Sequence, residues 1–191
     1  MLNQHATIQD IISSTLESNK TTSEGTRAGG IFHAQCFDQD GNLKWEEKSH
    51  NLVVNQGLKD MNDKYFSGAA YTATWFIGLV TGPGSGTTFA AADTLASHAG
   101  WTEFTNYSGN RGAITFGAAT LADPSVITNG TAVQFTITGA GGTVAGAFLA
   151  SVATGTSGIL FSESDFQAPG DRAVVSGDVL NVTYQFSLDA A

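Results

Sequence analysis

The 191-residue sequence predicts a mainly β protein, an antiparallel β-sandwich or jelly-roll-like barrel with one short helix in its body. Three observations carry that prediction. After Ser67-Gly68 the apolar residues alternate or form short continuous runs, which is strand patterning rather than helix patterning. Glycine, proline, asparagine and aspartate punctuate those runs at short intervals, as turns between strands require. Seven or more such segments follow one another with no repeat of fixed period, the signature of a sandwich or barrel.

Residues 1 to 30 read differently and are assigned to an N-terminal arm, with residues 31 to 191 as the body. Thr7 with Asp10 forms a helix-start pair, and Ile8, Ile11, Ile12, Thr15 and Leu16 then recur at i, i+3, i+4, i+7, i+8. A helix of about ten residues is marginal alone in water, so this stripe needs a partner surface. The polar run SNKTTSEGTRAGG, Ser18 to Gly30, reads as a leash. The stripe could fold back onto its own body, dock on a neighbour or stay disordered, and the leash favours neither docking mode outright. Arg27 is a candidate hydrogen-bond anchor at the leash's end.

IFHAQCF puts Phe32, Ala34 and Cys36 on one strand face, joined to LKWEE by DQDGN, whose Asp40-Gly41 pair suits a hairpin turn. NQGLKDMNDKYF, Asn55 to Phe66, is the helix of the body: Asn55 is a cap, Leu58, Met61 and Tyr65 form the apolar stripe, and Asp60 and Lys64 an exposed i,i+4 pair. YTATWFIGLV, GWTEFTNY, GAITFGA, AVQFTITG, GTVAGAFLA and GILFSES read as strands. GDVLNVTYQFSL is the clearest, with Leu180, Val182, Tyr184, Phe186 and Leu188 alternating with polar residues on a half-buried strand.

The charge balance excludes some classes of partner. A formal charge of -9 opposes a nucleic-acid backbone, and residues 67 to 191 hold only Arg111 and Arg172 against eight carboxylates. No run approaches the ~20 apolar residues of a membrane span, and no signal-peptide pattern opens the chain, so a soluble protein made in the cytoplasm is expected. The single cysteine, Cys36, cannot form an internal bridge and reads as a buried strand residue.

Motifs for chemistry are weak. VTGPGSGTT, Val80 to Thr88, follows an apolar run but lacks the spacing and lysine of a phosphate loop. Asp38, Asp40 and Asn42 start a calcium-like loop that fails at Leu43 and at Ser49, where a glycine and a bidentate glutamate are needed. His5, His33, His50 and His98 show no zinc spacing, so no metal or cofactor is expected. Asp93, Ser97, His98 and Glu103 are close in sequence, but adjacent residues such as Ser97 and His98 seldom face each other, and no catalytic residue is assigned. Glu163, Asp165 and Asp171 lie in turn-like contexts. Trp75 reads as core, whereas Trp101 and Tyr107 are candidates for stacking on a glycan.

At NLVVNQGLKDMNDKYF, AYTATWFIGLVTG, AADTLASHAGWTEF and SGDVLNVTYQFSL the chain resembles small virion structural proteins of tailed bacteriophages. The resemblance spans roughly residues 50 to 188 and implies a non-enzymatic part of the particle. Two slots follow from it: a head decoration, or cement, protein on the capsid surface, and a tail or fibre component that binds host carbohydrate. The lack of a repetitive shaft or heptads favours the first. The implied partners are the major capsid protein and further copies of the chain, as a dimer or trimer. The arm residues Ile8, Ile11, Ile12, Leu16 and Arg27 are assigned to docking from their pattern alone.

Overall fold

A computed structural model describes residues 26–71, 74–81, 87–166 and 170–190. Thirteen strands and one helix are present among them: β1 (Thr26–Phe37), β2 (Leu43–His50), β3 (Leu52–Val53), α1 (Asn55–Tyr65), β4 (Trp75–Thr81), β5 (Thr102–Phe104), β6 (Gly112–Ile114), β7 (Ser125–Thr128), β8 (Val133–Thr136), β9 (Gly142–Val144), β10 (Gly146–Ala150), β11 (Leu160–Asp165), β12 (Arg172–Val174) and β13 (Val179–Ala190). All pairings are antiparallel. One sheet runs β2-β1-β13-β7, with β8 also on β13; the second runs β3-β11-β10-β4-β5, with β6 also on β4; β9 and β12 form a small ribbon.

The sheets pack face to face, and alternation decides which side chains meet. Phe32, Ala34 and Cys36 of β1 and Leu180, Val182 and Tyr184 of β13, all fully buried, face Ile77 and Leu79 of β4 and Ala147 and Leu149 of β10. Burial holds the Cys36 thiol up at a pKa of about 12. The runs WFIGLV and GAFLA lack alternation because their second faces are covered too. Val80, Phe148 and Ala150 join Leu95, Trp101 and Leu160 in a smaller core on the far side of that sheet.

The β1–β2 turn forms where expected. Gly41 takes φ +83°, and Asp38 Oδ1 accepts the backbone N–H groups of Asp40 and Asn42, so the carboxylate of the calcium-like sequence serves the turn itself. Three strands escaped the sequence reading: β3, β7 and β12 have two to four residues each, too few to show a period.

The arm boundary moves. β1 begins at Thr26 and pairs with β13 from there, Thr26 opposite Ala190 and Arg27 opposite Asp189. Residues 26 to 30 are therefore strand rather than leash, because β13 offers them a full run of backbone partners. Ile8, Ile11, Ile12 and Leu16 lie outside the described residues.

Candidate functional site

Helix α1 turns most of its predicted apolar stripe outward: of Leu58, Met61 and Tyr65 only Met61 packs against the core. Gly57 and Asp60 are its buried residues, whereas Leu58 is 40% exposed and Tyr65 83% exposed. The cause is Gly57: a Cβ there would lie 2.3 Å from the Phe161 carbonyl oxygen, so only a glycine lets the helix backbone approach β11 this closely. That contact commits the helix to its Gly57 side. The Asp60–Lys64 pair forms at 3.5 Å, but Asp60 is buried rather than on an open surface. Asn55 is not the cap; Val54 is, and the first helical N–H groups find backbone partners instead, Val54 N–H donating to Phe161 and Asn55 N–H to Ala91.

The outward stripe then builds an apolar groove. Leu58, Met61, Tyr65 and Phe66 form one wall, and Ala28 of β1 with Leu188 of β13 the other, enclosing about 660 Å³. Ala28 and Leu188 are register partners at the strand ends. The alternation of β13 explains the position of Leu188: Leu180, Val182 and Tyr184 are fully buried, Phe186 partly, and Leu188 is 39% exposed. Met61 also lines a smaller aromatic cleft of about 210 Å³ between α1 and the sheets, with Trp75, Phe116, Phe161, Tyr184 and Phe186. Isolated exposed apolar residues are ordinary; a contiguous set around one concavity marks a contact surface.

Arg111, Glu103, His98, Ser97 and His33 are held in separate local contacts. Arg111 is buried and grips Glu103 with two hydrogen bonds, Nε to Oε1 at 2.8 Å and Nη2 to Oε2 at 2.7 Å, while Nη1 donates to the Val152 carbonyl. His98 stacks on Trp101 with ring centroids 3.7 Å apart, and its Nδ1 lies 3.0 Å from the Trp101 carbonyl oxygen. Ser97 closes a turn with Thr94, and Asp93 accepts the Ala90 N–H. Asp93, Ser97, His98 and Glu103 thus do not form a relay. His33 is on the outer strand surface beside Glu46. Among the described residues no three His, Cys, Asp or Glu side chains converge as a metal site.

Trp101 and Tyr107 are not glycan platforms. Trp101 is 2% exposed, with His98 stacked against it and Phe148 packed at 5.0 Å. Tyr107 is 7% exposed and packs edge-on against Phe135, and burial pushes its hydroxyl up to a pKa of about 12. Sugar stacking needs an open ring face, and both rings are covered by the body. Arg27 is exposed on β1 and belongs to the strand.

Glu163, read from the sequence as lying in a turn-like context, is instead inside a strand. It is fully buried in β11, its Oε2 accepts the Trp101 indole N–H at 2.9 Å, and its Oε1 has no hydrogen-bond partner. Burial first, and the nearby Asp93 carboxylate second, push its pKa up to about 8. In the strand LFSESD the carboxyl stands between two serines and gives no local sign of burial, and that Trp101 and Asp93 would lie beside it was not readable from spacing.

No family model, curated protein or solved structure matches the chain.

Proposed function

We propose that the protein is a structural component of a tailed-bacteriophage virion, a capsid decoration protein on the head surface that works by adhesion rather than catalysis. It would clip neighbouring major capsid protein subunits together through its β body and N-terminal arm. The observation that carries this reading is the apolar groove at the root of the arm. The sequence places Ile8, Ile11, Ile12 and Leu16 a short leash away from it. Two apolar surfaces joined by one polar stretch of chain suit a clip, because tethering makes the second contact effectively intramolecular and each can be weak. The resemblance to small virion proteins supports the same assignment. The tail-located alternative drew on Trp101 and Tyr107 as open aromatics, and their burial leaves it without that support.

The test is occupancy on heads that lack the protein, measured by cryo-microscopy and gel densitometry. The full chain should decorate them. Deletion of residues 1–25, which stops short of β1, and Tyr65→Glu/Phe66→Glu in the full chain should each lower occupancy at least tenfold, roughly the gain a tethered contact supplies. Equal decoration by all three proteins, or none by the full chain, refutes the assignment.

A further inference from the structure

We propose that the groove between α1 and the ends of β1 and β13 is the docking site for residues 7–16 of the same chain, so that the isolated protein parks its own arm there. The groove is apolar on both walls, and Thr26, the first described residue, is itself part of its rim. The 25 residues that precede Thr26 therefore enter the body at the groove. Residues 17–25 separate Leu16 from that rim, and nine residues reach at most about 30 Å. Helix α1, with 11 residues, is only about 16 Å long, so the whole groove is within reach of the stripe.

Chemistry agrees with reach. The stripe offers Ile8, Ile11, Ile12 and Leu16, and the walls offer Ala28, Leu58, Met61, Tyr65, Phe66 and Leu188 without a charged side chain among the lining residues. A ten-residue helix gains stability only from such a surface. The choice of the chain's own arm over that of a second copy follows from concentration: a short covalent connection holds the stripe at an effective concentration in roughly the millimolar range. A second copy at micromolar concentration is outcompeted. Docking in cis would also cover the exposed side chains of Leu58, Tyr65, Phe66 and Leu188 while the protein is unassembled. The inference concerns the isolated chain and does not require the virion assignment.

The test is pairwise disulfide formation in the full-length protein. Ile11→Cys with Leu188→Cys places one thiol on the stripe and one on the groove wall. Ile11→Cys with Asp40→Cys is the control, since Asp40 lies in the turn beyond the far end of the 12-residue strand β1, roughly 40 Å from the rim. Cys36 is fully buried and does not compete. The Leu188 pair should close at least tenfold faster than the Asp40 pair, as a monomer, and at a rate unchanged by dilution. Equal rates for the two pairs overturn the proposal, and so does a disulfide-linked dimer that forms in proportion to concentration. Independently, Ile8→Asp/Ile12→Asp in the full chain should raise binding of the apolar dye ANS several-fold; no increase overturns the proposal as well.

Discussion

Replacing Glu163 by glutamine isolates the cost of keeping a carboxyl in the far-side core. The folded chain holds this group at a pKa of about 8, raised from an ordinary 4.5, chiefly because burial penalises the charged form. Below pH 4.5 it is protonated in both folded and unfolded chains and contributes no pH dependence. Between pH 4.5 and pH 8 the unfolded chain releases the proton and the folded chain retains it, so the folded state binds more protons and stability falls as pH rises. Each pH unit of that window removes at most ~1.4 kcal/mol, which sets a ceiling of about 5 kcal/mol by pH 8. Relaxation around Asp93 reduces this, and a ramp of roughly 2–4 kcal/mol is expected. Glutamine keeps the shape and an oxygen for the Trp101 N–H at 2.9 Å but cannot ionise. Urea unfolding of both proteins at about pH 4 and about pH 8.5 should show near-equal stability at the lower pH and a glutamine variant more stable by that ramp at the higher. Parallel curves would mean that the carboxyl is not held protonated, and the reasoning fails.

Gly57→Ala has a sign that separates propensity from packing. Helix propensity alone predicts a gain of about 1 kcal/mol, whereas a Cβ at 2.3 Å from the Phe161 carbonyl predicts a net loss of roughly 1–3 kcal/mol; a chemical denaturation midpoint decides. Tyr184→Phe removes the hydroxyl that accepts from Asn51 Nδ2 at 2.8 Å and lies 3.2 Å from Ser162 Oγ inside the sandwich, and should cost about 1–3 kcal/mol in the same assay. Arg111→Met leaves Glu103 without its bidentate partner and strips a cation from above the Phe148 ring; a loss of about 2–4 kcal/mol is expected. Adding Glu103→Gln should recover part of it.

Among the described residues, where the local pattern had a strong period, the elements it named are present. β1 carries Phe32, Ala34 and Cys36 inward, β13 carries Leu180, Val182 and Tyr184 inward, and the turn at Asp38 to Asn42 joins β1 to β2. The short strands β3, β7 and β12 had too little patterned sequence to announce themselves. The helix shows the other limit. Its apolar residues mark Leu58, Met61 and Tyr65 as the inner face, yet the surface that docks is set by Gly57, whose value depends on a carbonyl more than one hundred residues away in β11. The candidate contact site follows from that inversion.

Side-chain alternation, turn chemistry and charge are local properties, so the sequence by itself determined a β-rich acidic body with a short helix and a separate apolar stripe near its N-terminus. Which surfaces remain open depends on what covers them, and that is a long-range property. Only the tertiary structure decided that Trp101 and Tyr107 are enclosed, that Glu163 is sealed beside Trp101, and that Leu58, Tyr65, Phe66 and Leu188 face outward around one groove. Burial is a sum over neighbours brought together by the fold, and those neighbours are distant in the chain.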